Sequence, residues 1–238
     1  MAPALRSAYT ALRSLFRLFF PRNCALCGEP LVGDEHDICS HCLLEIPELY
    51  TTLGSDNFIE RRLRGRIPIC ESTALLLFQR HNLTQKILHQ IKYYSNEKLA
   101  VAMGERLGLH IAECRLFDDV DIIVPVPLHR RKQRQRGYNQ SLLLCKGIVR
   151  NFPRPIVTDN LVRIRYTETQ TRKSRQERLD NMKDVFAVTD PSALQGKHLL
   201  LVDDVITTGA TTEACWLALQ HVDNVRISVA ALAVTGDT

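Results

Sequence analysis

The stretch Leu199-Leu200-Leu201-Val202-Asp203-Asp204-Val205-Ile206-Thr207-Thr208-Gly209-Ala210-Thr211 decides how this 238-residue chain is read. Its four leading apolar residues form a strand buried on both faces, the kind found in parallel sheets. The strand delivers two adjacent carboxylates at its carboxyl end. A turn of small residues follows and opens into a helix over Thr211 to Leu219. In open α/β sheets the carboxyl ends of strands are where ligands bind.

Outward from this stretch, the same alternation runs back to about residue 71. Thr73 to Phe78, Asp121 to Val126, Val185 to Val188 and Val225 to Leu232 read as strands. Leu83 to Tyr94, Lys98 to Glu113 and Gln140 to Val149 carry apolar residues at helical spacing, such as Ile87, Leu88 and Ile91. Buried strands separated by helices predict an α/β domain over 71–238, with a mostly parallel sheet flanked by helices. Residues 1–20 read as an amphipathic helix, with Leu5, Ala8, Leu12, Leu15, Phe16 and Phe19 on one stripe, ended by Pro21. It docks on the rest of the protein or touches a membrane surface or partner. Residues 21–70 form a cysteine-bearing module and a polar, basic, partly linking segment.

The small residues after the acidic pair have a physical purpose. Thr207, Thr208, Gly209, Ala210 and Thr211 can present N–H groups and hydroxyls to a phosphate at a helix N-terminus, where the dipole favours an anion. Two carboxylates beside a phosphate would repel it unless they face something else, and sugar hydroxyls, with Mg²⁺ nearby, meet that need. The ligand so described is a ribose 5-phosphate with its diol on the acids. The lysine-bearing P-loop pattern is missing here, which disfavours an ATPase of that type.

A second strand ends in Pro125-Val126-Pro127-Leu128-His129 and leads into Arg130-Arg131-Lys132-Gln133-Arg134-Gln135-Arg136-Gly137, where five of seven residues from 130 to 136 are cationic. Arginines can clamp pyrophosphate oxygens in bidentate fashion, and Gly137 would let the segment hinge over a ligand. A third basic stretch starts at Arg163 and continues to Asn181, with Arg175 and Arg178. Solvated surface charge and a groove for single-stranded nucleic acid are the competing readings. Interleaved aromatics are sparse, only Tyr138 and Tyr166, which weakens the groove.

Cys24-Ala25-Leu26-Cys27 and Cys39-Ser40-His41-Cys42 are separated by 11 residues. Two such turns can supply four thiolates in a tetrahedron, which suits a structural Zn²⁺ and leaves no open position for chemistry. A segment this short has too little core to fold alone, so metal would supply its folding free energy. A redox pair or an iron–sulfur cluster fits the spacing less well. Cys70, Cys114, Cys145 and Cys215 read as ordinary buried residues.

Composition sets outer bounds. With 45% hydrophobic residues and a formal charge of +5, the chain is not disordered as a whole, and its charge decides nothing about nucleic acid. Leu18-Phe19-Phe20 is the longest apolar run near the N-terminus, far short of the ~20 residues that cross a bilayer. Arg13 and Arg17 interrupt any secretory signal. A cytoplasmic protein with reduced thiols is expected.

The run from Val202 to Thr211 resembles the type I phosphoribosyltransferases. That resemblance implies that Asp203 and Asp204 hold the ribose hydroxyls of phosphoribosyl pyrophosphate and that Thr207 to Thr211 hold its 5-phosphate. The cysteine pairs, Leu88-His89-Gln90-Ile91-Lys92-Tyr93, Pro125-Val126-Pro127-Leu128, Arg136-Gly137-Tyr138-Asn139-Gln140, and Thr167 to Gln170 with Arg178 and Asn181 together resemble the competence protein F family, from about residue 15 to 235. The resemblance implies the type I fold, Mg²⁺-dependent binding of phosphoribosyl pyrophosphate at the turn holding Pro125, Val126 and Pro127 and at the acidic strand, and a role in DNA uptake. Two functions follow as expectations. One is transfer of the phosphoribosyl group to a nitrogen acceptor, with Asp203, Asp204, Arg130, Arg131 and Arg136 as catalytic groups. The other is a non-catalytic adaptor that binds single-stranded DNA or DNA-uptake proteins.

Overall fold

The acidic strand lies inside the sheet, with a neighbour hydrogen-bonded along each side. The computed structural model describes residues 22–49, 57–79, 82–165 and 185–236. The expected helix over residues 4–20 and the basic stretch from Tyr166 to Asn181 lie outside them. Contacts divide the chain into two units, Met1–Ile46 and Pro47–Thr238.

In the first unit the described helix is α1 (Ser40–Glu45). The second unit runs α2 (Phe58–Leu63), β1 (Ser72–Phe78), α3 (Leu83–Tyr93), α4 (Glu97–Cys114), β2 (Ile122–Pro125), α5 (Arg130–Arg136), α6 (Gln140–Ile148), β3 (Leu161–Arg163), β4 (Phe186–Val188), β5 (His198–Ile206), α7 (Ala210–Leu219) and β6 (Arg226–Thr235). Strands β1, β6, β5 and β2 form a four-stranded sheet in that order, and every pairing is parallel. Leu199 stands opposite Ile122 on one side and Ile227 on the other. The mostly parallel sheet flanked by helices is thus present.

Successive residues of β5 point to opposite faces. Leu199 and Leu201 join Ile59 and Leu63 of α2 and Cys215 and Leu219 of α7 in one buried cluster. Leu200 and Val202, equally buried, belong to the other face, where α3, α4 and α6 pack. The crossover from β1 to β2 and that from β5 to β6 run in opposite directions along the sheet. Connections of one hand therefore leave helices on both faces. β5 extends past the four apolar residues through Asp203 and Asp204 to Ile206, and Asp203 pairs with Ala231. The acidic pair sits in a paired strand, not in a loose turn.

Two expectations change. Residues 57–63, read as part of a basic linker, form α2. Asn57 caps it by accepting from the N–H groups of Ile59 and Glu60, and Ile59 and Leu63 are fully buried. The strand expected near 185–188 does not join the main sheet. It pairs antiparallel with β3 in a separate two-stranded sheet. Of the four scattered cysteines, Cys145 and Cys215 are buried, whereas Cys70 is exposed and Cys114 partly so.

Helices α4 and α6 meet backbone to backbone. A Cβ on Gly104 or Gly147 would overlap the carbonyl oxygen of Leu144 or Val101, and one on Gly108 would come 2.5 Å from that of Ile148. These glycines sit at the contact because nothing larger fits. Gly147→Ala is expected to destabilise the chain by about 1–3 kcal/mol, as overpacking does. Thermal and denaturant unfolding measure it, and an unchanged midpoint would show that the helices can separate without loss.

Candidate functional site

Because β5 alternates, its two carboxylates part company. Asp203 shares the face of Leu199 and Leu201, towards α7 and β3, where Arg163 acts on it and its own charge raises the Cys215 thiol. Asp204 shares the face of Leu200 and Val202, towards α3, and its Oδ2 lies 3.1 Å from Lys92 Nζ. The Asp204 N–H also donates to Asp203 Oδ1 at 2.8 Å. Burial, then the neighbouring charge of Asp204, push the Asp203 carboxyl up to about 7, against the pull of that N–H, Lys92 and Arg163.

The turn beyond β5 is held from outside by a segment absent from the sequence reading of the site. Gly209 caps α7 in the left-handed region at φ 75°, and a Cβ there would lie 2.6 Å from Leu63 Cδ2. Only glycine suits both demands. Arg66, just past α2, donates to the Thr208 carbonyl at 2.7 Å and pairs with Glu213 in the first turn of α7. Arg62 donates to the Gly236 carbonyl at 2.8 Å and to the Thr235 hydroxyl at 3.0 Å, and that hydroxyl donates to the Thr207 carbonyl at 3.3 Å. The carbonyls of Thr207 and Thr208 are thus taken up on one side. Gly209 offers no side-chain cap, while Thr207 and Thr208 are exposed and Ala210 and Thr211 partly so. The Thr208 hydroxyl makes one long contact, accepting from the Ala210 N–H at 3.4 Å.

The Pro125-Val126-Pro127 turn borders the same end of the sheet. The Val126 N–H donates to the Val202 carbonyl at 2.9 Å, and the Val126 carbonyl accepts from the Asn139 amide at 3.1 Å. The arginines expected to touch the ligand lie beyond it on α5. Arg130 and Arg131 are exposed. Arg136 is partly buried, its guanidinium 5.9 Å from the Tyr93 ring centre. Tyr138 is buried with its hydroxyl on the Ile91 carbonyl, so it offers no stacking face.

Several residues of this end were not assigned to the site from the sequence. Lys92 and Arg163 oppose the two carboxylates. Lys132 is, with Arg136, a partly buried cation of α5. Burial, then Arg163, Arg136 and Lys92, hold its ammonium below the usual range. Tyr93 and Tyr94 are 66% and 65% exposed, and both rings pack on His89, at 4.8 and 5.4 Å between centres. The signal for Lys92 and Tyr93 was the quoted Leu88 to Tyr93 run, but nothing local says that the lysine meets an aspartate 112 positions on.

In the first unit, the sulfurs of Cys24, Cys27, Cys39 and Cys42 all lie within 4.8 Å of one another. Cys27 and Cys39 are 3.7 Å apart. Four sulfurs about 2.3 Å from a tetrahedral Zn²⁺ would stand roughly 3.8 Å apart, so the set fits that ion. Gly28 turns the first knuckle at φ 80°, its N–H donating to the Cys24 carbonyl at 2.9 Å. Cys24 Sγ accepts from the N–H groups of Cys39 and Leu26 at 3.3 and 3.4 Å. Burial raises the Cys24 thiol, but surrounding N–H donors outweigh it and bring the thiol down to about 6. Glu35 ties the knuckles together, accepting from the Ser40 N–H at 2.7 Å and the Val32 N–H at 2.9 Å.

The double zinc ribbon domain family matches residues 15–52. The DNA utilization protein YhgH of Escherichia coli (strain K12) is 36% identical over 128 residues, 52% of this chain and 56% of that protein. The chain thus spans little more than half the length of the first curated relatives it matches. Competence protein ComFC of Bacillus subtilis (strain 168) is 24% identical over 200 residues, 84% of this chain and 72% of that one. The chain is similar in sequence to these competence and DNA-utilization proteins. Among solved structures, a hypoxanthine phosphoribosyltransferase from Staphylococcus aureus is 14% identical over 57% of this chain and 62% of that one, with a TM-score of 0.35, a level at which overall likeness decides nothing. No described helix is long and apolar enough to cross a membrane.

The four cysteines are a zinc-ribbon set, and a fully thiolate site is structural. About one zinc per chain is expected, falling to near zero when Cys27 and Cys42 are both changed to Ser. Elemental mass spectrometry checks the metal, and hydrogen exchange over 22–46 checks folding. Undiminished protection without metal would refute the structural role.

Proposed function

We propose that the second unit binds phosphoribosyl pyrophosphate together with Mg²⁺ and transfers its phosphoribosyl group to a nitrogen acceptor. The observation that supports this most is the pair Asp203 and Asp204 near the carboxyl end of β5, with Val205 to Thr208 leading from them to Gly209, which caps the N-terminus of α7. Vicinal hydroxyls donate to the two carboxylates. The 5-phosphate takes N–H groups and hydroxyls from Thr207 to Thr211, where the dipole of α7 favours an anion. Pro125, Val126 and Pro127 line the neighbouring strand end. The carboxylate oxygens of Asp203 and Asp204 would suit a hard cation such as Mg²⁺, which would supply charge neutralisation for a pyrophosphate leaving group. The chain's own part is to orient the ribose and keep its anomeric carbon accessible. An acceptor nitrogen bonds to that carbon, the bond to pyrophosphate breaks, and pyrophosphate leaves with the electron pair while the nitrogen loses its proton to solvent. Reduced thiols in a zinc ribbon suit a cytoplasmic setting.

Calorimetry with phosphoribosyl pyrophosphate and Mg²⁺ tests binding, and pyrophosphate release with a panel of nucleobases tests turnover. Asp204→Asn is expected to weaken binding by about tenfold or more, the worth of a charge-assisted hydrogen bond. Absence of binding by the unaltered chain would sink the reading. Asp203 sets the pH dependence. Its raised carboxyl is neutral below about 7, so protons compete with the sugar on the acid side, and affinity rises with pH until the group is ionised. Asp203→Asn should flatten that profile between pH 6 and 8 relative to the unaltered chain. A profile that keeps its slope would assign the titration to the ligand's phosphates.

A second reading, an adaptor that binds single-stranded DNA in DNA uptake, is favoured by one surface. Tyr93 and Tyr94 stand exposed beside the cationic helix α5, with Arg136 over Tyr93. Stacking faces beside a basic track suit unpaired bases and phosphates. Fluorescence anisotropy with a labelled oligonucleotide should show binding that weakens steeply with salt. Changing both tyrosines to Ala should cost roughly 1–3 kcal/mol per stacked base. Binding indifferent to both changes would remove this surface as the contact.

A further inference from the structure

The carboxylate that would grip the ribose is already held by a cation. Lys92 Nζ lies 3.1 Å from Asp204 Oδ2, and their side chains are only 19% and 13% exposed. Lys92 is the penultimate residue of α3, next to the fully buried Ile91, whose carbonyl takes the Tyr138 hydroxyl. Its backbone is fixed while its four-carbon arm can turn. We infer that Lys92 belongs to the pyrophosphate subsite, latched on Asp204 in the ligand-free chain and passed to phosphate oxygens when sugar hydroxyls replace it. This deepens the phosphoribosyl pyrophosphate reading and rests on it.

Three observations support the exchange. An ammonium in contact with Asp204 competes with a hydroxyl donor for the same oxygen, so a bound diol displaces it. A half-enclosed ammonium stripped of its partner is costly unless another anion is within reach, and the pyrophosphate group of the same ligand is that anion. The ammonium is a compact charge with three rotatable donors, suited to changing partners, unlike a planar guanidinium. Further cations stand nearby. Burial first, and then the charges of Arg163, Arg136 and Lys92, weaken the Lys132 proton, so these cations lie within reach of one another's fields. A polyanion placed among them relieves their repulsion. Arg130 and Arg131 are exposed by comparison and less enclosed than Lys92.

Calorimetry on the full chain with Mg²⁺ and three probes tests this: phosphoribosyl pyrophosphate, ribose 5-phosphate and inorganic pyrophosphate. Lys92→Met should weaken the two pyrophosphate-bearing probes by about tenfold or more and leave ribose 5-phosphate unchanged or tighter, since Asp204 is then unlatched. Lys92→Arg should restore part of the loss. Equal weakening of all three probes would make Lys92 a structural tether of Asp204 and overturn the proposal, as would no weakening at all. Should Lys92→Met fail to fold, Lys92→Gln makes the same comparison. Failure of the unaltered chain to bind either ribosyl probe would sink the phosphoribosyl reading. Lys92-dependent binding of inorganic pyrophosphate would then leave the anion subsite standing, and its absence would overturn both.

Discussion

Side chains on a strand alternate between its faces, and that constraint makes two neighbouring carboxylates tolerable at one strand end. Two like charges about 5 Å apart at an effective dielectric near 20 repel by roughly 3 kcal/mol. On β5 the repulsion is divided. Asp203 turns towards the face holding Arg163, and Asp204 towards the face holding Lys92. Lys92 of α3 pairs with Asp204 and also pulls on Asp203, which Arg163 of β3 opposes as well, so cations from two elements meet the acidic pair. The arrangement leaves Asp203 the more enclosed of the two and raises its proton affinity. It also exposes the pair together only at the open end of the sheet, where the Thr207 to Thr211 turn begins.

The parts of this end legible in the sequence are those whose cause is local. Four apolar residues, two acids, small residues and a helix start are adjacent, and their meaning needs no distant partner. Gly209 was legible for the same reason, since a tight strand-to-helix turn demands it. Helix α2 was not legible. It is six residues long and rich in arginine, and it exists because Ile59 and Leu63 are buried under β1 and β6, a tertiary effect that local propensity does not register. The arginines in and just after it looked like surface charge, yet Arg62 holds the Gly236 carbonyl and Arg66 the Thr208 carbonyl behind the turn. The strand expected at Val185 to Val188 was assigned to the main sheet and β3 was not read as a strand, because so short an apolar run carries no information about which strand it pairs with.

The first unit depends on a different source of stability. Among its described residues the buried apolar set is Cys24, Ile38, Cys39, Cys42 and Ile46. Three of those five are sulfur ligands. With the ion removed, that core reduces to two isoleucines and a few thiols, too little to outweigh the entropy of ordering some 25 residues. The second unit buries continuous apolar strands on both sides and needs no metal to do so. The two units are therefore expected to respond independently to chelation.

Counting charges along the chain draws attention to α5, whereas burial draws it to Lys92 on α3. Five cations in seven residues draw the eye, but Arg130 and Arg131 lie in solvent, where their attraction for any one anion is screened. Lys92 is a single cation, half-enclosed against a carboxylate, in the setting where one charge matters most. Its neighbours Tyr93 and Tyr94 present their rings at the same helix end. A sugar phosphate on β5 and an unpaired base on the tyrosines would therefore share α3 without sharing side chains. The enzymatic and nucleic-acid readings then need not exclude each other, because a ligand that moves Lys92 acts on the residue next to the stacking surface.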